Sequence, residues 1–328
     1  MINPDSDLMS KKTYSDFRVV YICSAARSGS TLTDMFMGGH SQVASLGEIN
    51  LINKAISLDA NCSCGEKLRT CIHWKKIYDF IFNAQGINLI NDPYKLRLWD
   101  ALAFREVDHQ RQTFAFRFAI NLRKAWMKFR DSFPSNIRNS FPIPPILLSA
   151  LYNKMNLYQS ISRCWGKSII VDSSKNVWEA VELHQRWPNI VKIVLLTRDG
   201  RGVYLSRRTS GRDQSESVNG WLKYYRRALP LLENYVSPES LLKIRYEDLA
   251  SEPDKTARIL CEFCNIPYEK QMVDLSSVTR HLVNGNDTRF FPGRGIKLDE
   301  RWRTELKDAE LDFFERIGGE MNQRLGYR

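Results

Sequence analysis

The stretch Arg18-Val-Val-Tyr-Ile-Cys23, Ser24-Ala-Ala-Arg-Ser-Gly-Ser30, Thr31-Leu-Thr-Asp-Met-Phe36 decides how the chain is read. Its first segment is a β-branched and aromatic run that predicts a buried strand. A short loop with one glycine follows. Leu32, Met35 and Phe36 then recur at i, i+3 and i+4, the spacing of a helix, and Gly38-Gly39 ends it. A strand, a glycine-containing loop and a helix start together present backbone N–H groups to an oxyanion. Gly29 lets the backbone approach a ligand. Ser28, Ser30 and Thr31 add hydroxyl donors, and Arg27 adds a charge that can grip an oxyanion with two nitrogens. The loop lacks the G-x4-G-K-[ST] pattern of nucleotidases. An ordinary strand–helix turn with serine caps is the competing reading.

Working outward, further strands are predicted at Ser168–Val171, Val191–Leu196 and Leu241–Tyr246. Val177, Ala180, Val181, His184 and Trp187 form one helical stripe, stopped by Pro188. Another helix begins near Gly200, and a third opens at Pro253 with Ala257, Leu260, Cys261 and Cys264 on one face. Residues 72–132 carry aromatics and arginines at helical spacing, whereas Phe133–Pro145 is proline-rich and reads as a surface loop. The alternation predicts an α/β, three-layer fold, with a mainly parallel central sheet flanked by helices. Ligands of such sheets sit beyond the carboxyl ends of the strands.

The chain has 328 residues, 43% apolar and 26% charged, a globular balance that excludes extensive disorder, collagen and coiled coil. At this length a core forms without disulfides or metal. No apolar run approaches the ~20 residues of a membrane span. The best candidate, Ile143–Tyr152, is short and carries Pro144 and Pro145. The opening MINPDSDLMSKKTYSD has no apolar core, so no secretory signal and a cytoplasmic location are expected. The odd count of seven cysteines agrees with a reducing compartment. Three of them cluster as Cys62-Ser-Cys64-Gly and Cys71-Ile-His73. Cys62, Cys64, Cys71 and His73 could hold zinc, but the spacing departs from paired C-x2-C and the signal is weak; a local disulfide or plain loop packing is the plainer reading.

Lys plus Arg number 48 against 37 Asp plus Glu, a net charge of +11 that favours an anionic partner. The basic residues are scattered and no recognition motif appears, so nucleic acid is not expected. A second basic cluster, Thr197-Arg-Asp-Gly-Arg-Gly-Val-Tyr-Leu-Ser206, follows the third strand. Arg198 at the strand end and Ser206, about two helical turns on, could hold a second phosphate. A salt bridge from Arg198 to Asp199 or another carboxylate is the plainer alternative. Two anion sites beside one sheet argue for a doubly charged nucleotide.

These residues resemble the sulfotransferase family that uses 3′-phosphoadenosine 5′-phosphosulfate (PAPS). Ala26-Arg-Ser-Gly-Ser-Thr-Leu32 is similar to that family's 5′-phosphosulfate loop, in its arginine-type branch of bacterial and tyrosylprotein enzymes. Leu196-Thr-Arg-Asp-Gly-Arg201 with Ser206 is similar to its 3′-phosphate motif. The resemblance extends through Gly47-Glu48-Ile-Asn, Asp172-Ser-Ser-Lys175, Ile244-Arg-Tyr-Glu-Asp-Leu249, His281-Leu-Val-Asn-Gly-Asn286 with Arg289, and Ile296-Lys297. It leaves residues 55–160 unmatched. It implies a P-loop-nucleotidase-like fold in one domain, 17–328, with a helical insertion at about 55–160 and a flexible N-terminus at 1–16.

The resemblance further implies that Arg27, Ser28, Gly29, Ser30 and Thr31 hold the phosphosulfate, and Arg198 and Ser206 the 3′-phosphate. Tyr246 would lie near the nucleotide and Lys297 would reach the phosphates. Glu48 would be the base, with His281 and Asp172 as alternates. Lys175 and Arg27 would stand against the bridging oxygen. Arg212 is a further phosphate candidate. No divalent metal is needed, since arginine and lysine can compensate the charge of a sulfuryl group. The acceptor would be a hydroxyl or amine on a small molecule, carbohydrate, lipid or peptide. A nucleotide-dependent small-molecule kinase with an atypical loop and a polyanion-binding protein are the rival readings.

Overall fold

In the computed structural model, which describes residues 17–99 and 114–328, the opening stretch is strand β1 (Arg18–Cys23) and helix α1 (Ser30–Met37). Then come β2 (Val43–Ser45), α2 (Ile72–Gln85), α3 (Phe114–Arg130), α4 (Pro145–Trp165) and β3 (Ile169–Asp172). The chain continues through α5 (Val177–Arg186), β4 (Val191–Thr197), α6 (Gly200–Arg208), α7 (Gln214–Tyr235), β5 (Leu241–Arg245), α8 (Pro253–Cys264) and α9 (Asp308–Arg324). The polar segment 1–16, expected to be a flexible N-terminus, lies outside the described residues.

The five strands run parallel in the order β2-β3-β1-β4-β5. Val19 pairs with both Ile170 and Val191, so β1 occupies the centre. The chain leaves β1 toward β3 and β2, then returns across it to β4 and β5. That reversal opens a crevice at the carboxyl ends of β1 and β4, where an open parallel sheet binds ligands.

Alternation along the strands divides the core in two. Val19, Tyr21, Cys23, Ile170, Ile193 and Leu195 face one layer with α4, α5 and α7. Val20, Ile22, Val171, Val194, Leu196 and Ile244 face the other, with Met35 and Phe36 of α1 and Leu260, Cys261 and Cys264 of α8. Both faces of the sheet are covered, which is why these strands read as continuous apolar runs. Fold class and layering agree with the sequence reading.

Phe133–Pro145 lies mostly at the surface, as expected, but is not all loop. It contains a short helix, Ser135–Arg138, whose terminal Arg138 is buried and donates to Glu182 Oε1 at 2.6 Å and Gln185 Oε1 at 2.6 Å. Arg130 reaches the same Glu182 oxygen at 2.8 Å, so two guanidiniums staple this segment to α5. The apolar stretch Ile143–Tyr152 enters α4. Among the described residues no helix is long and apolar enough to cross a membrane.

Candidate active site

Every strand delivers a residue to one cavity of about 530 Å3 beyond its carboxyl end. Arg27 and Gly29 follow β1, Glu48 follows β2, Lys175 follows β3, Arg198 follows β4 and Tyr246 follows β5. Ser30, Thr31, Ser206 and Lys297 line it as well. Ser28, the remaining loop residue singled out from sequence, is fully buried beneath the loop.

The loop after β1 is shaped for close approach. Gly29 has φ 91°, and a Cβ there would fall 2.6 Å from the Tyr246 ring. No side chain caps α1 among the described residues, so its first-turn N–H groups face the cavity. Arg27 has φ 75° although it is not a glycine. Its Nε donates to Ser206 Oγ at 2.9 Å, which joins the first basic cluster to the second. Arg198 Nη1 donates to the Arg27 carbonyl at 3.1 Å, and its guanidinium lies 4.4 Å over the Tyr246 ring. Burial, then the neighbouring Arg198, pushes the Arg27 guanidinium below its ordinary pKa. An anion set between these arginines relieves that repulsion.

The two cations proposed from different ends of the sequence are therefore neighbours. The C-terminal segment closes this wall. Tyr246 OH donates to the Lys297 carbonyl at 3.0 Å and accepts from the Asp299 N–H at 3.0 Å. Asp299 pairs with Arg198 at 3.1 Å and with Arg301 at 2.8 Å. Hydrogen bonds from Arg301, followed by Arg198, hold its carboxyl below the usual carboxylate range. Arg198 thus pairs with Asp299, while Asp199 pairs with Arg201 at 2.7 Å.

On the opposite wall Lys175 Nζ pairs with Glu48 Oε1. Lys175 also has a left-handed backbone, φ 66°, fixed by Tyr224 OH donating to its carbonyl at 3.0 Å. Backbone strain of this kind gathers at functional sites. Gly47, before Glu48, packs against the segment after His281: a Cβ there would meet the Asn284 carbonyl at 2.4 Å.

Asp34 of α1 ties the two walls together. Its Oδ2 accepts from the Gly47 N–H at 2.9 Å and from Ser173 Oγ at 2.7 Å, one and two residues from Glu48 and Lys175. Burial pushes its carboxyl up to about 7, against the pull of those hydrogen bonds. The folded protein then keeps a proton that the unfolded chain releases near pH 3.9. Stability from this group is full below that pH and declines as pH rises toward about 7. Urea titrations of wild type and Asp34→Asn should show wild type losing roughly 2–4 kcal/mol relative to the variant between pH 4 and 7.5. Parallel pH profiles would contradict the assignment.

Beneath this floor lies a buried ionic network. Lys154 of α4 reaches Asp172 Oδ2 at 2.7 Å, Glu179 Oε2 at 2.9 Å and Asn50 Oδ1 at 2.6 Å. Tyr21 OH and Asn50 Nδ2 donate to the same Glu179 oxygen at 2.7 and 2.6 Å, and Tyr158 OH donates to Asp172. Burial alone would lower the Lys154 pKa, but Asp172 and Glu179 outweigh it and raise it.

Asp172, an alternate base from sequence, is therefore fully buried and committed to Lys154, away from the cavity. His281, the other alternate, lies against Cys62 and Cys71. Arg212, the further phosphate candidate, is exposed and pairs with Glu216 four residues on. The structure adds Asp299, Arg301, Arg294, Gly285 and Asn286 to the cavity wall. Gly285 and Asn286 approach the first loop directly: Thr31 Oγ1 accepts from the Asn286 N–H at 3.0 Å. The glycine following Asn284 was the one local signal for this approach.

The profile of a family described as "Sulfotransferase family" matches residues 20–270. Among curated proteins the sequence search found no match. Among solved structures, the sulfotransferase domain from the Synechococcus PCC 7002 olefin synthase superposes with a TM-score of 0.55 at 17% identity, covering 97% of this chain and 98% of that one. The sulfotransferase domain from the curacin biosynthetic pathway gives 0.51 at 18% identity, covering 95% and 98%. At such identities the likeness bears on the fold.

Proposed function

The chain belongs to the sulfotransferase family, and from that premise we propose that it moves the sulfuryl group of PAPS to an acceptor hydroxyl or amine. The observation that carries the proposal is a single cavity bounded by the Arg27 loop and by Arg198 with Ser206. A donor that carries a 3′-phosphate and a 5′-phosphosulfate on one ribose needs two cationic anchors close together, as Arg27 and Arg198 are here. About 530 Å3 is ordinary for a ligand site.

In this reading Gly29, Ser30, Thr31 and Arg27 hold the 5′-phosphosulfate, with Ser28 buried beneath them, and Arg198 and Ser206 hold the 3′-phosphate. Tyr246 packs beside Arg198, and Lys297 extends toward the phosphates. The acceptor oxygen or nitrogen attacks sulfur as the bond to the bridging phosphate oxygen breaks. Glu48 takes the acceptor proton. Adenosine 3′,5′-bisphosphate leaves, its bridging oxygen stabilised by Lys175 and Arg27. Charge spreads over equatorial oxygens in such transfers, so fixed cations do most of the work. In support of this assignment, Lys175 and Glu48 both line the cavity and pair with each other there. Arg and Lys supply the compensating charge without a divalent metal in the transfer step. We read residues 17–328 as one transfer domain with a helical insertion at about 55–160, and its location as cytoplasmic. The family match running through the insertion supports the first reading, and the odd cysteine count the second.

Thermal shift tests the donor. Adenosine 3′,5′-bisphosphate at 100 times its Kd should stabilise by about 2.7 kcal/mol, and AMP and ATP by far less. Arg198→Ala should remove that preference. Equal responses to all three nucleotides would contradict the proposal.

A further inference from the structure

A second cluster of chemistry lies outside the cavity. Cys62, Cys64 and Cys71 converge with His281, and their ligand atoms all lie within 4.8 Å of one another. Cys64 Sγ and Cys71 Sγ are 3.8 Å apart. His281 Nδ1 is 3.7 Å from Cys62 Sγ and 3.4 Å from Cys71 Sγ. Tetrahedral zinc, with bonds of about 2.3 Å to sulfur and 2.0–2.1 Å to nitrogen, separates two sulfurs by about 3.8 Å and sulfur from nitrogen by about 3.6 Å. We propose that Cys62, Cys64, Cys71 and His281 form a closed, structural zinc site.

The local backbone is built for it. Asn61 pairs with Lys67 in an antiparallel bridge, and Gly65 at φ 97° turns the chain between them. This knuckle carries Cys62 and Cys64. Cys71 sits at the start of α2 and returns to the same point. His281 arrives from a segment 210 residues further on. Its ring stacks on His73 with centroids 3.8 Å apart, and Trp74 Nε1 donates to its carbonyl at 2.9 Å. Those contacts fix the ring so that Nδ1 faces the sulfurs, the task of groups around a metal ligand. His73, the ligand expected from its proximity to Cys71, is instead the stacking partner.

The donor set selects the metal and the role. Three thiolates and one imidazole suit zinc, and four protein ligands leave no position for a reacting water. Binding releases three thiol protons, while His281 ligates through its neutral nitrogen. The function is mechanical. Beyond His281, the Asn284 carbonyl accepts from the Glu48 N–H at 3.5 Å, and Gly285 and Asn286 form part of the cavity wall. Zinc fastens that wall to the knuckle.

Elemental analysis of the purified, dialysed full chain tests the site. About one zinc per chain is expected, released together with three mercurial-reactive thiols. Cys71→Ser and His281→Ala should each reduce zinc to background, and His73→Ala should keep it. If those variants fail to fold, cobalt exchanged into wild type should give the absorption of a tetrahedral thiolate site. Wild type that contains no zinc and takes up none on refolding would overturn the proposal. So would a Cys64–Cys71 disulfide in the native mass, or zinc retained by His281→Ala and lost by His73→Ala.

Discussion

Replacing Lys154 by methionine should cost the fold about 3–5 kcal/mol, the usual penalty for breaking a buried ion pair from one side. Asp172 and Glu179 would remain fully buried with no cation between them. Against a typical total of 5–15 kcal/mol, the loss leaves a marginal protein. The damage should grow with pH. Two buried carboxylates facing each other without a cation are harder to keep desolvated the more of their charge they carry, so the penalty should be larger at high pH. Urea midpoints at pH 5 and pH 8 measure both effects. A penalty under 1 kcal/mol, or one that shrinks toward pH 8, would sink the account. A compensated variant, Lys154→Met with Asp172→Asn and Glu179→Gln, should recover much of the stability, since neutralising the whole set removes the uncompensated charge.

Glu48→Gln should slow sulfuryl transfer by about 10²–10⁴-fold while leaving affinity for adenosine 3′,5′-bisphosphate nearly unchanged. Glutamine keeps the size of the side chain but cannot accept the acceptor proton. It also releases Lys175 from its ion pair, so the cation opposite the leaving group stays available. Sulfated product formed from labelled donor, with whichever phenol, sugar or peptide acceptor wild type uses, gives the rate; calorimetry gives the affinity. Unchanged turnover with lost nucleotide binding would reverse the role given to Glu48.

Much of this architecture is legible in the sequence. β1, β3 and β4 announce themselves because strands covered on both faces need long apolar runs, and β5, a partly exposed edge strand, shows a shorter one. β2 does not: Val43-Ala-Ser45 is three residues long, too short to show a period. The loop residues and both cations of the cavity were readable because each follows a strand. Asp299 and Arg301 were not: the segment after Asn286 has no periodicity to place them, and only the family resemblance pointed to Asn286 and Lys297. Asp172, at the end of β3, was read as an alternate base, while Lys154 and Glu179 escape for another reason. A charged residue in an amphipathic helix reads as surface, and only the tertiary fold shows three charges meeting in the interior. His73 was the natural partner for Cys71 by proximity, but its ring points along α2 to stack on the histidine that the fold brings from a distance.

Arg27 and Lys175 occupy backbone geometries that suit glycine better. An engineer seeking a higher melting temperature by relaxing awkward torsions would choose these two positions among the first. Each exchange to glycine would return on the order of 1 kcal/mol. Both would also strip a positive head group from the cavity that, in the function proposed above, receives the donor. Endurance and turnover pull in opposite directions at the same two residues, so heat-hardened derivatives of this chain must find their gains elsewhere.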